Sequence, residues 1–254
     1  MAEEKENKKP LVKKKAPLTK KKKSWFQIVA PDVFGKAALG ETLVEDSKHL
    51  LGKTIELSLM SLTGDMKKQN MNVKFAVDQI MEGRGICRVV SYEIAPSSIK
   101  RMVRRGRMRV DASIVVQTKD GIKVRVKPFL LTAYETKRSL VAAVRRQVIA
   151  FVATYFANST YDQVFKDVVS GRLQMGVREA CKGIYPIRNS EIRMMTVVKD
   201  TVAVSALPST TMNVEKIMES AQNARQQRYS APRRPYPQQA EAAPQQQEAP
   251  AEAQ

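Results

Sequence analysis

APSSIKRMVRRGRMRVDASIVVQTKDGIKVRVK, residues 95–127, changes from a helical period to a strand period within a few positions. Ala95-Pro96-Ser97-Ser98 is a helix-start signal, because proline in the first turn gives up no hydrogen bond that the helix needs. Ile99, Met102 and Val103 then share one face at i, i+3 and i+4, with Lys100, Arg101, Arg104 and Arg105 around the rest. Gly106 is expected to stop this helix. Arg107 and Arg109 open a strand in which Met108, Val110, Ala112, Ile114 and Val116 are expected to face a core. Lys119-Asp120-Gly121 supplies the Asp-Gly pair favoured in tight hairpins. The return strand alternates Ile122, Val124 and Val126 with Lys123, Arg125 and Lys127, which are assigned to the outer face.

Toward the N-terminus the period-two pattern continues. Lys53 to Leu62 reads as a half-buried strand ending at Thr63-Gly64-Asp65, and Val73, Phe75 and Val77 mark a second strand. After a turn at Gly83-Arg84-Gly85, Ile86 to Ile94 form a third. Toward the C-terminus the pattern turns helical. Thr136 to about Phe156 carries Leu140, Val144, Val148 and Phe151 or Val152 as its stripe, with Arg145 and Arg146 outside it. Further helices are expected at Tyr161 to Val169 and Met175 to Lys182. A returning strand follows with Ile192, Met194, Thr196 and Val198 on one face, and a polar helix is expected over residues 213 to 228. Strands first, helices next and a late strand predict an α+β body, residues 25–207, with a curled, barrel-like, mostly antiparallel sheet flanked by helices.

Both ends differ in composition. Residues 1–24 hold ten lysines against three glutamates, including Lys13, Lys14, Lys15, Lys20, Lys21, Lys22 and Lys23. Such a segment buries too little to offset its ordering entropy, so it is expected to be a disordered basic arm. It could serve as a solubilising tail, an import signal or an arm that orders on phosphates, and the last is favoured. Residues 208–254 are read as the polar helix followed by a flexible tail rich in Gln and Pro. There Arg225, Arg228, Arg233 and Arg234 lie near Tyr229 and Tyr236. Trp25, at the junction of arm and body, reads as an aromatic anchor rather than a base-stacking platform.

Charge narrows the function. With 44 Lys and Arg against 25 acidic residues the formal net charge is +19, and a compact body so charged needs a polyanion. Nucleic acid fits, because each phosphate neutralised releases condensed counterions. An anionic membrane is the competitor. However, no run of about 18 apolar residues is present and no signal-peptide pattern opens the chain, so it reads as soluble and intracellular with no membrane partner. Two distant cysteines, Cys87 and Cys181, and one histidine, His49, offer no metal cluster. No phosphate loop, Cys-x-x-Cys, His-x-x-x-His or nucleophile elbow occurs, and Glu45-Asp46 beside His49 reads as surface charge. The expectation is no enzyme, no cofactor and no metal. The candidate phosphate-contacting residues are the seven arm lysines named above, Lys100, Arg101, Arg104, Arg105, Arg107 and Arg109, the hairpin residues Lys123, Arg125 and Lys127, and Arg145 with Arg146.

Several stretches also resemble a known family. Residues 21–34, KKKSWFQIVAPDVF, are similar to the opening of the archaeal and eukaryotic small ribosomal subunit family called eS-one or S-three-Ae. Gly40-Glu41-Thr42-Leu43-Val44, residues 52–59 (GKTIELSL) and residues 180–187 (ACKGIYPI) resemble further family segments in the same order. The resemblance spans about residues 20–200 and leaves out everything after about 207. It implies a structural constituent of the small subunit, bound in the cytoplasm to small-subunit rRNA and to neighbouring ribosomal proteins. It also implies a place near the messenger exit, where mRNA is a further partner, and a barrel-like sheet. A free RNA-binding or chaperone-like factor is the alternative.

Overall fold

The computed structural model describes residues 22–198, 203–205 and 213–230. Its strands are β1 (Ser24–Val29), β2 (Ala38–Val44), β3 (Thr54–Ser58), β4 (Met71–Met81), β5 (Arg84–Ile94), β6 (Arg109–Asp111), β7 (Ile114–Gln117), β8 (Lys123–Thr132) and β9 (Ile187–Val197). The helices are α1 (Leu59–Thr63), α2 (Pro96–Met102), α3 (Arg138–Asn158), α4 (Tyr161–Ser170), α5 (Arg172–Cys181) and α6 (Val214–Ser230). The α+β class therefore holds.

All nine strands join one mixed sheet. Its spine runs β3-β4-β5-β9-β8, and β6 and β7 share the far side of β8. Every pair is antiparallel except one: β1 meets β5 in parallel at Ile28↔Gly85 and Val29↔Ile86. The expected barrel does not close, since no pairing joins β3 to β6 or β7 among the described residues. Glu82 and Gly83 connect β4 to β5 with φ of 51° and 75°. Positive φ at both central residues suits the twist of a two-residue hairpin, which explains the glycine. Gly85 is needed for space instead, because a Cβ there would stand 3.1 Å from Val77 where β1 arrives.

The strand expected to reach Leu62 is shorter. It stops at Ser58, whose hydroxyl accepts from the Met60 N–H at 3.4 Å and caps α1. The helix at 96 ends early as well, at Met102. Val103 is extended and 36% exposed, so it does not share the core face of Ile99. Only Ile99 and Met102 gain by packing inward, and a further turn would stack Lys100 on Arg104 and Arg101 on Arg105. Arg104 and Arg105 consequently stand in a loop that turns at Gly106, φ 72°.

In β9 the expected face of Ile192, Met194, Thr196 and Val198 is broken, because the buried residues after Ile187 are Ile192 and Met195. Pro128 in β8 cannot donate to a ladder, and there the register slips: Lys127 pairs with Met194, and Pro128 with Ile192. Arg193 is left as the bulged residue, which reverses the alternation beyond it. Trp25 is 67% exposed and faces Leu43, itself 44% exposed, across the β1–β2 ladder. The anchor expected here is thus an exposed side chain, and most of the arm it would fix to the body lies outside the described residues.

Strands and helices share one continuous core, with Phe34 edge-on to Phe75 of β4 and to Phe165 of α4. Leu140 lies outside it, in the first turn of α3 and 37% exposed. Among the described residues α3 is long and apolar enough to cross a membrane by length and composition, which corrects the expectation of no such segment. Half of that stretch is buried in the protein, with Val144, Val148, Phe151 and Phe156 in the core. Helix α6 is docked rather than free, with Val214 and Ala221 buried. Gly176 of α5 admits it: a Cβ there would lie 2.5 Å from Met218 of α6 and 2.8 Å from Phe151 of α3. Cys87 and Cys181 are free and buried, and burial pushes their thiols up to about 11 and about 12.

Candidate nucleic-acid interface

The loop after α2 is held by a buried threonine. Thr132, at the end of β8, takes the Met108 N–H on its hydroxyl at 2.9 Å, and its own N–H donates to the Met108 carbonyl at 3.0 Å. The Thr132 hydroxyl donates onward to the Tyr134 carbonyl at 2.6 Å. Ala133 N–H reaches the Pro186 carbonyl at 3.1 Å, tying this corner to the start of β9. These bonds place the arginine loop beside elements far away in sequence.

What results is an open groove of about 460 Å³ lined by Arg105, Arg107, Tyr134, Arg178 and Arg188 together with Gly106, Ala133, Pro186 and Ile187. Four arginines, from a loop, a helix and a strand, line it, and none forms an ion pair among the described residues. Tyr134 beside them is 72% exposed, an aromatic face open to stacking. Such a surface can hold successive phosphates of a polyanion and stack a base. Sequence reading missed Arg178, Arg188 and Tyr134. Nothing in the local pattern of α5, of β9 or of the loop after β8 marks them, and only the tertiary contact between residues 133 and 186 gathers them.

The other candidates lie elsewhere or are engaged. Arg109 is paired with Asp111 and lies 5.4 Å from the Phe129 ring, so its charge is used within the fold. Arg101, exposed on α2, donates to Asn70 Oδ1 at 3.3 Å, and Lys100 beside it is exposed. Lys123, Arg125 and Lys127 are part-buried on β8. Lys123 and Leu131, the partner of Arg109, are separated by about 27 Å at the usual rise of an antiparallel strand. Lys127 is about 14 Å from Leu131 on the same measure, so the hairpin cations run away from the loop along β8. Arg145 and Arg146 are exposed on α3, and Lys22 and Lys23 are exposed ahead of β1. Lys13, Lys14, Lys15, Lys20 and Lys21 lie outside the described residues, as do Arg233, Arg234 and Tyr236 of the tail. No group of three or more His, Cys, Asp or Glu able to hold a metal occurs among the described residues.

Comparison with known proteins agrees with the resemblance. The ribosomal S3Ae family matches residues 12–201. A protein of Methanothrix thermoacetophila named small ribosomal subunit protein eS1 is 33% identical over 173 residues, 68% of this chain and 82% of its own length. Its namesake in Halorubrum lacusprofundi is 32% identical over 197 residues, 78% of this chain and 92% of that protein. In Saccharolobus islandicus the identity is 35% over 179 residues, 70% of this chain and 86% of the relative. A match that runs from the basic arm through β9, where the arginine groove is built, leaves one assignment: the chain belongs to the ribosomal S3Ae family.

Proposed function

We infer that this protein is a structural constituent of the small ribosomal subunit and meets small-subunit rRNA through the groove of Arg105, Arg107, Arg178 and Arg188. Family membership supports the ribosomal role. The observation that carries the interface is one groove lined by four arginines that form no ion pair among the described residues, on a chain of net charge +19. Held on three elements of a rigid body, they grip a backbone by charge and geometry instead of reading bases. Exposed Lys100, Arg104, Arg145, Arg146, Lys22 and Lys23 widen the positive surface, and the hairpin cations add a second area of binding. Neighbouring small-subunit proteins complete the partner set, and messenger RNA near the exit site is a further one that crosslinking from labelled mRNA would report. The place of action is the ribosome in the cytoplasm, with no catalytic step. Nothing among the relatives supports a free RNA-binding or chaperone-like factor.

Sucrose-gradient sedimentation tests this reading. The full chain should co-sediment with small subunits at low salt and persist as salt rises. The variant Arg104→Glu/Arg105→Glu/Arg107→Glu should dissociate at clearly lower salt. Its affinity for rRNA should fall less steeply with salt, by about 0.7 to 0.9 in logarithmic slope for each phosphate no longer neutralised. A variant that sediments and titrates like the parent removes the groove from the interface.

A further inference from the structure

The groove continues past Arg178 and Arg188. The same two side chains also line a second cleft of about 450 Å³, walled by Lys67, Lys68, Gln174 and the strand segment ending at Glu191. It exists because β5 pairs with β9 only at Met194, Met195 and Thr196, whereas β8 follows β9 back to Ile187. From Arg188 to Glu191 the strand has one neighbour, and α5 lies against it.

Gln174 on α5 is 8% exposed. Its amide nitrogen donates to the Val168 carbonyl at 3.0 Å, which orients the amide and leaves Oε1 a buried acceptor without a partner. An acceptor in that state is costly, and a ligand that brings an N–H removes the cost. Glu191, part-buried on the same wall, is a second acceptor. The occupant must therefore enter with a donor and leave negative charge at the rim. There Arg178, Arg188 and Lys67 lack ion pairs among the described residues, while Lys68 is held by Asp65 at 2.7 Å. A lysine or arginine of a neighbouring protein has donors but would meet these cations on the way in. A nucleotide suits both ends, and the cleft is within the range of small-ligand pockets.

We propose that this cleft receives one unstacked RNA nucleotide whose base carries an exocyclic amino group, donated to Gln174 Oε1 once the side chain turns that oxygen, closed off from solvent in the free protein, into the cleft, with its phosphate held by Arg178 and Arg188. The assignment rests on the RNA-binding reading of the adjoining groove. Cytosine presents an amino donor where uracil presents a carbonyl acceptor, so the cleft discriminates between them.

Binding of labelled oligo(C) and oligo(U) of equal length to the full chain, followed by fluorescence anisotropy, tests it. Equal length matches the phosphate contribution. Oligo(C) should bind roughly tenfold more tightly than oligo(U). Gln174→Met, similar in length and shape, should shrink the difference to within about twofold while oligo(U) affinity and the thermal melt stay in place. Glu191→Leu, at the outer wall, gives a second reading and should narrow the gap should Gln174→Met fail to fold. Equal affinity of the parent for both oligonucleotides overturns the nucleotide cleft alone, and so does a gap that survives both substitutions. Binding of neither oligonucleotide overturns the arginine groove and the cleft together.

Discussion

Glu191 is a carboxyl that burial pushes up to about 7, although cationic side chains rim the same cleft. In an unfolded chain it would ionise at the ordinary glutamate value of 4.5. Between those two values the folded protein keeps a proton that the unfolded chain has released, so rising pH favours unfolding. Stability should fall by about 1–2 kcal/mol from pH 4.5 to 7, a figure reduced for partial exposure, and level off above that. Glu191→Gln removes this component. Urea denaturation of parent and variant at pH 5 and pH 8 measures the difference, and parallel pH profiles would sink the account. Other single residues were open to reading from their neighbours alone. Gly83 follows from a tight turn, and Cys87 and Cys181 from the lack of partners at metal spacing. Tyr134, Arg178 and Arg188 were not, since nothing local marks an isolated tyrosine or arginine whose meaning lies in a contact fifty residues away.

Elements follow the same division. β4 and β5 are visible in alternation, and α3 and α4 in their stripes, because one face of each meets the core. The signal failed where a local event competed with the period. Ser58 capped α1 and cut β3 short. Repulsion within the arginine run ended α2 at Met102. Pro128 forced a bulge that reversed the facing of β9 beyond Arg193. The docking of α6 was hidden because it depends on an absent side chain, at Gly176. Alanine there would improve helix propensity by about 1 kcal/mol. It would also drive a methyl into Phe151, whose ring is fixed in the core, as well as into the more yielding Met218. Overpacking of this kind costs about 1–3 kcal/mol, so Gly176→Ala should lower the melting temperature overall. A higher one would mean that α6 is not seated as described.

On the scale of the whole molecule, β9 lies between β5 and β8 although it is the last strand among the described residues. During synthesis the first eight strands emerge while two ladders still lack their shared partner. Until about residue 197 has left the exit tunnel, β5 and β8 offer open edges able to pair with a neighbouring nascent chain. Completion is therefore a late, single event, and a chain ending at residue 186 should show no cooperative melt, whereas one ending at residue 198 should regain it at least in part. A cooperative transition in the shorter chain would show that the two halves mature separately. The strand that arrives last is also the one that seats Arg188, so no polysome should carry a half-made protein already able to clasp RNA in this groove.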